Sequence, residues 1–342
     1  MNSVRATSRA DLTAAAALLA GAATLLPMVA ERAHAHDAAP VTRNADAPTA
    51  TVARTQWGAD YFPNVPLTTQ DGKTVRFYDD LLKGKSVAIN LIYTHCTAAC
   101  PLETAKLTQV QRILGDRVGK DIFFYSISID PKNDTPAALK AYMAKYHVGP
   151  GWLFLTGKAE DIELISNKLG LASLTDAASR DGHMPSLMIG NEPSGKWMRQ
   201  SAVDNPRFLA AQIGNFFRWK NAVPMPSYAV LQEPPKVDEG ARLFKNQCAA
   251  CHTVGKGDGI GPDLVNVTKR REHCWVGRYI AEPDKVLDEK DPIAVELFAK
   301  YKDVRMPNLS LGAGEVAVLL SHIEKASLAA AEPARKASVS AR

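Results

Sequence analysis

The sequence predicts two folded domains, an α/β domain followed by an all-α domain. Its 342 residues exceed the length of one common domain, so two domains are expected. Between residues 56 and 220, apolar runs typical of buried strands alternate with helical patterns, as in folds with a mixed or parallel sheet. In residues 237–325 strand patterns cease and short helical patterns follow. The proline-rich stretch 221–236 between them is typical of a semi-rigid spacer.

The first 35 residues have the pattern of an export signal. Arg5 and Arg9 precede an Ala- and Leu-rich run over residues 12–30, and Ala33 and Ala35 give the small-x-small pattern of a cleavage site. An uncleaved transmembrane anchor is the alternative, because the run is nearly long enough to span a bilayer. Cleavage is favoured because alanine is only weakly hydrophobic. We therefore expect a periplasmic protein that is soluble or held at the membrane by this one segment.

Composition and charge limit the classes of partner. The formal net charge is +5, and basic residues are interspersed with acidic ones. Nucleic acid is not an expected partner, because no basic stripe with interleaved aromatic residues is present. Residues 36–55 predict a flexible leader. The tail at 326–342, rich in Ala, Ser, Lys and Arg without an apolar face, predicts disorder.

The elements of the first domain can be placed in order. Residues 86–93 (SVAINLIY) and 122–129 (IFFYSISI) predict buried strands, and residues 186–190 predict the start of another. Helical patterns lie at residues 102–114, 136–146 and 159–169, where Pro136 suits a helix start. In the second domain, helical patterns lie at residues 239–246, 270–281, 292–301 and 314–325.

Cys248, Cys251 and His252 form the attachment pattern of a c-type haem (CAACH). The two thiols can each add to a haem vinyl group, and the adjacent histidine can ligate the iron. A chance CxxCH is the alternative interpretation, and the surrounding sequence disfavours it.

Residues 237–325 resemble class I cytochrome c over nearly their whole length. The matching segments are Gly240–Phe244, Gly261–Leu264, Trp275–Ile280 and Met306–Leu309. The resemblance implies a haem c cofactor whose iron has His252 as proximal ligand, supported by the Pro262 region, and Met306 as distal ligand. Such ligation raises the haem potential, which suits electron transfer. His273 and His322 compete as distal ligands, but histidines on helices are more often surface or core residues.

Cys96 and Cys100 directly follow the first predicted strand, at the start of the helix whose pattern continues over residues 102–114. At this spacing the two side chains face the same way. The helix N-terminus is expected to lower both thiol pKa values below about 8.5. Such a pair can cycle between dithiol and disulfide or bind a soft metal such as Cu(I). A static disulfide, common in exported proteins, is the third interpretation.

Residues 56–218 resemble the Sco/SenC family of copper proteins, which have a thioredoxin-like fold. The resemblance is carried by Asp71–Lys73, Tyr93–Cys96, Cys100-Pro101, Ser128–Pro131 and Asp134–Pro136. It implies that copper is bound by Cys96, Cys100 and His183, the histidine of Asp181-Gly182-His183. Two thiolates and one imidazole suit both oxidation states of copper.

Three functions remain open. The first is a metallochaperone that delivers copper to a respiratory oxidase or its copper-site subunit, with the haem supplying electrons. The second is a thiol–disulfide oxidoreductase that uses Cys96 and Cys100 as redox thiols to keep a partner's cysteines reduced. The third is an electron carrier that docks on other redox proteins through its Sco-like domain. Haem and copper each exchange one electron whereas a disulfide takes two, which favours the first. Cys274, the fifth cysteine, is predicted to be a buried thiol.

Overall fold

The computed structural model describes residues 57–97, 99–172, 185–224 and 238–340, with side chains to residue 331. The predicted signal and leader, most of the spacer, and His183 lie outside these ranges. We call residues 57–224 the sheet portion and residues 238–340 the helical portion; both belong to one compact unit, Ala53–Arg342. Within the described ranges, no helix combines the length and apolar character needed to cross a membrane.

The sheet portion is built on one mixed sheet. Its strands in the described residues are β1 Pro66–Thr69, β2 Thr74–Arg76, β3 Ser86–Ile92, β4 Phe123–Ser128, β5 Trp152–Gly157, β6 Ser186–Asn191 and β7 Lys196–Ser201. They lie in the order β2-β1-β5-β4-β3-β6-β7. The pairs β3–β4 and β4–β5 are parallel and the others are antiparallel.

Helices cover both faces of this sheet, which explains why β3 is buried from Val87 to Ile92 and mostly apolar. The helices are α1 Ala99–Leu114, α2 Pro136–Lys145, α3 Ala159–Lys168 and α4 Pro206–Phe216. α1, α2 and α4 contribute to the core on one face, and α3 packs on the other with a wide helical turn at Phe77–Leu82. The Thr135 hydroxyl accepts a hydrogen bond from the Ala138 N–H, so Thr135 caps α2, which begins at Pro136 as predicted.

The helical portion is all-α in the described residues, as predicted. Its helices are α5 Glu239–Leu243, α6 Val267–Arg270, α7 His273–Ala281, α8 Pro283–Asp288, α9 Pro292–Lys300 and α10 Ala313–Ser340. A wide helical turn, Phe244–Cys248, continues α5 to the first haem cysteine. α5 packs closely on α10, since a Cβ at Gly240 would lie 2.2 Å from the Val318 carbonyl oxygen. Only glycine therefore fits at this position.

The prediction of a disordered tail from residue 326 is wrong, because α10 continues to Ser340. Ser327 is buried, and its hydroxyl accepts a hydrogen bond from the Asn266 N–H at 2.9 Å. Gly255, with φ +76°, lies so close to Ala330 that a Cβ there would be 2.5 Å from the Ala330 Cβ. Alanine is a strong helix former, so the alanine-rich tail continues α10 although it lacks an apolar stripe.

Candidate haem and thiol sites

The helical portion encloses a cavity beside the predicted haem cysteines. Cys248, His252 and Met306 all line this cavity. Most of the remaining wall is apolar, with Val267 and Leu319 among its side chains. An apolar cavity with attachment and ligand groups on its wall fits a haem.

His252 is held in the orientation that an iron ligand needs. Its Nδ1 atom lies 2.9 Å from the Pro262 carbonyl oxygen, which leaves Nε2 for the iron when Nδ1 carries the proton. Burial lowers the pKa of His252, which favours the neutral, ligating imidazole. A Cβ at Gly261 would lie 2.6 Å from Cε1 of the ring, so Gly261 is required by this close approach.

The two competing distal histidines do not line the cavity. The His273 side chain is 64% exposed and lies 3.9 Å from Glu324. His322 packs its ring against Phe244. Of the three candidates, only Met306 lines the cavity with His252, and the residues present therefore fit a haem ligated by His252 and Met306.

The second site lies where β3 ends and α1 begins. Cys96 is 7% exposed, and Cys100, in the first turn of α1, is fully buried. The Cys100 N–H donates a hydrogen bond to the Cys96 sulfur at 3.4 Å. The helix N-terminus is therefore directed at Cys96, an arrangement that stabilises a thiolate there.

The prediction that both thiol pKa values are lowered is wrong for Cys100. Its pKa is raised, first by the hydrogen bond with Cys96 and then by burial and the neighbouring Cys96 charge. The helix dipole favours a thiolate at the start of α1, but the full burial of the Cys100 side chain disfavours a charge there. The pair therefore consists of an outer sulfur that accepts a helix N–H and a fully buried inner sulfur whose thiol pKa is raised.

Asp134 holds the loop that leads into Cys96. Its fully buried carboxylate accepts hydrogen bonds from the backbone N–H and the hydroxyl of Thr94. It also accepts one from the Ser128 hydroxyl, at the end of β4. This carboxylate thus ties the loop before Cys96 to the neighbouring strand, a role that the motif match alone did not reveal.

Glu103, one turn after Cys100 on α1, is a buried carboxyl group that the sequence analysis missed. Its Oε1 accepts a hydrogen bond from the Asn90 amide at 3.0 Å, while its Oε2 has no hydrogen-bond partner among the described residues. Burial raises the pKa of Glu103 to about 8, against the hydrogen bond from Asn90, with a further increase from Cys96. No sequence pattern marks this residue, because its hydrogen-bond partner Asn90 lies on β3, 13 residues earlier in the chain.

The third predicted copper ligand, His183, lies outside the described residues. Within those residues, no group of three or more His, Cys, Asp or Glu side chains is placed to hold a metal ion. The structure therefore brings together two of the three predicted ligands.

The fifth cysteine, Cys274, differs from its prediction, because it is exposed rather than buried. It lies in the first turn of α7, and its sulfur is 3.7 Å from a Glu272 carboxylate oxygen. The buried residues of this helix are Val276 and Ile280, so Cys274 lies on the solvent side. The prediction used the general tendency of lone cysteines to be buried, but Cys274 lies on the face of α7 that is opposite to its buried residues.

These two sites define a class of protein, a thioredoxin-like thiol domain joined to a class I cytochrome c domain. The chain matches the SCO1/SenC family over residues 55–187 and the cytochrome c family over residues 237–327. The SCO1 protein homolog of Bacillus subtilis is 38% identical over 141 residues, which cover 40% of this chain and 71% of that protein. The chain belongs to the Sco/SenC family, with a cytochrome c domain in addition.

The chain is also similar to a SCO2-like protein and to a copper-bound ScoI structure. A SCO2-like protein of Rickettsia conorii is 37% identical over 102 residues, which are 30% of this chain and 47% of that protein, so the chain spans about half of that relative. The structure of Bradyrhizobium japonicum ScoI, which has copper bound, is 26% identical. It covers 45% of this chain and 99% of its own, with a TM-score of 0.37.

Proposed function

We propose that this chain is a copper-handling haem protein that binds copper as its cargo at Cys96 and Cys100. The observation that carries the proposal is the contact of the Cys100 N–H with the Cys96 sulfur at the start of α1. Two sulfur ligands side by side suit Cu(I), and the Asp134 carboxylate fixes the loop that presents the outer one. The copper-bound ScoI relative supports the same cargo.

The finer parts of the proposal are the third ligand, the location and the recipient. His183 is the third copper ligand, and the signal over residues 1–35 exports the protein to the periplasm. The copper is delivered to a respiratory oxidase, as the resemblance to the Sco/SenC family implies. The haem that Cys248, Cys251, His252 and Met306 hold supplies one-electron transfer when bound.

A copper titration of the haem-loaded protein tests the proposal. Under anaerobic conditions, Cys96→Ser and Cys100→Ser are each expected to abolish tight Cu(I) binding, because each removes one of two thiolates. His183→Ala is expected to weaken binding and to spare disulfide formation. Cys274→Ser is the matched control, since it removes an exposed cysteine far along the chain. Unchanged affinity in Cys96→Ser would disprove copper binding at this site.

The asymmetry of the thiol pair favours a second candidate, a thiol–disulfide oxidoreductase. Cys96 lines a surface cleft and Cys100 is fully buried, which is the arrangement of an attacking and a resolving cysteine. Unchanged copper affinity in His183→Ala, together with reduction of a disulfide substrate that depends on Cys96, would favour this candidate.

A further inference from the structure

One residue of the sheet portion borders both sites. Pro101, which follows Cys100 in α1, lines a second compartment of the haem cavity together with Cys251, His252 and Met306. Pro101 also lines the cleft that reaches Cys96. Pro101 is thus one of three residues that line both the haem pocket and the cleft at Cys96, and the other two, Phe298 and Arg305, come from the helical portion.

The loop that carries the haem cysteines packs on the core of the sheet portion. Ile260 is 7% exposed and belongs to the core cluster that α1 and α2 form with the sheet. Cys251 and Val304 pack against the same cluster. Gln109 on α1 donates a hydrogen bond from Nε2 to the carbonyl oxygen of Ala249, between the haem cysteines, at 3.0 Å. Apolar packing and a hydrogen bond therefore both join the loop that carries the haem cysteines to the sheet portion.

Tyr146, directly after α2, lies beside both cysteine pairs. It is 3% exposed, and its ring centroid lies 4.6 Å from that of Tyr142. The Tyr142 hydroxyl in turn donates a hydrogen bond to the Cys100 carbonyl oxygen at 3.3 Å. Burial raises the pKa of Tyr146, so its phenol is neutral. Tyr146 lines the cleft that reaches Cys96, and it belongs to the core cluster against which Cys251 packs.

We propose that Pro101 and Tyr146 form the contact through which one electron passes between the haem and copper within a single molecule. This inference rests on the proposed copper function. The electron reduces Cu(II) at Cys96 and Cys100 to Cu(I) while the haem iron is oxidised from Fe(II) to Fe(III), and no proton moves and no covalent bond changes. Electron transfer slows steeply as the separation of donor and acceptor grows, so packed side chains between the sites favour a fast step.

The first experiment follows haem absorption after one equivalent of Cu(II) is added anaerobically to the reduced protein. We expect haem oxidation in the wild type at a rate independent of protein concentration, since both sites are in one molecule. Tyr146→Leu, which removes the ring, is expected to slow this phase without changing the amount of copper bound. Tyr125→Leu is the matched control, because Tyr125 is a buried tyrosine in the core on the other face of the sheet. Equal rates in Tyr146→Leu and the wild type would overturn the role of Tyr146.

The second experiment opens the contact between the two portions. Gln109→Glu places a carboxylate against the Ala249 carbonyl oxygen and is expected to remove the concentration-independent phase. Gln111→Glu is its control on the same helix, since Gln111 donates to the Pro150 carbonyl oxygen inside the sheet portion. Ile260→Asp, which buries a charge in the contact, gives a stronger disruption. If haem oxidation remains independent of protein concentration in both Gln109→Glu and Ile260→Asp, this contact is not the route of the electron and the proposal is overturned.

A readout without electron transfer to copper separates this inference from the proposed function. The haem midpoint potential is measured with the thiol pair reduced and again as a disulfide, which changes the charge and structure beside Pro101. We expect a potential shift between the two states in the wild type and its loss in Ile260→Asp, with the methionine–iron band of the haem retained. A shift in a protein that fails the copper titration would uphold the contact while the copper function fails. No shift in the wild type would overturn the contact itself.

Discussion

Met306 and His252 line the same cavity of the helical portion, and this is the arrangement that an iron with two axial protein ligands requires. Met306→Ala is expected to leave haem attached through Cys248 and Cys251, because the thioether bonds do not involve the methionine. The methionine–iron charge-transfer band is expected to disappear and the haem potential to fall. Absorption spectroscopy and redox titration measure these effects. If the band persists, another residue is the distal ligand.

Glu103 makes stability depend on pH at the level of a single residue. Its folded-state pKa of about 8 lies above the ordinary value of 4.5, so the folded protein holds a proton that the unfolded chain releases. Between those two pH values, raising the pH therefore favours unfolding, with a total loss of a few kcal/mol.

Glu103→Gln removes this titration and tests the argument. Denaturant unfolding at a series of pH values is expected to give a wild-type stability that falls from pH 5 to pH 8 relative to the variant. Well below pH 4.5 the two proteins should be similar, because the wild-type carboxyl group is then neutral in both states. A constant difference between the two proteins across this range would contradict the buried, neutral carboxyl group.

Among individual residues, the sequence identified those that belong to motifs but not those that pack beside the motif residues in the fold. Cys96, Cys100, His252 and Met306 were recognisable because short spacings or family patterns mark them. Tyr146 was not, because the cleft at Cys96 that it lines and the core against which Cys251 packs are built from segments far apart in the chain. Such long-range contacts have no local sequence signal.

The loop between β3 and α1 is an element whose order depends on one carboxylate. Asp134→Ala removes the acceptor of the Thr94 N–H and the Ser128 hydroxyl, which would leave buried donors unsatisfied. We expect a loss of about 2–4 kcal/mol in the free energy of unfolding. Copper affinity is also expected to fall, because the loop presents Cys96.

The control for this prediction is Asp121→Ala. Asp121 is an exposed carboxylate in an ion pair with Arg117 at 2.9 Å, and such pairs contribute little to stability. Denaturant unfolding and Cu(I) titration of both variants provide the comparison. Equal effects of the two substitutions would show that the Asp134 contacts do not order the loop.

The predicted elements differ in how well the sequence revealed them. β3, β4 and α1–α3 were predicted within a few residues, because long apolar runs and helical periodicity mark them. β5 and β7 were missed. β5 is a short apolar run that cannot be distinguished from a helical segment by periodicity. β7 (KWMRQS) is a largely polar strand that pairs only with β6, so it lacks the apolar run of a buried strand.

For the whole molecule, ligand binding at one site should stabilise both portions. Copper that binds only the folded protein adds about 2.7 kcal/mol of stability at a free concentration 100 times its dissociation constant. The cysteines that bind it lie in the sheet portion, and Ile260 and Val304 of the helical portion pack on the core of that portion. Stabilisation of the core of the sheet portion therefore also stabilises the surface on which the loop that carries the haem cysteines packs.

Hydrogen exchange of the haem-loaded protein, with and without Cu(I), tests this coupling. In the wild type, Cu(I) is expected to slow exchange in β3 and β4 and also in the segment around Ile260 and Val304, because exchange from packed segments requires local opening. In Ile260→Asp the slowing should be confined to the sheet portion, since the buried charge disrupts the contact. In Cys96→Ser neither portion should respond. Slowing of the same extent in the helical portion of the wild type and of Ile260→Asp would mean that copper acts on that portion directly and not through the contact.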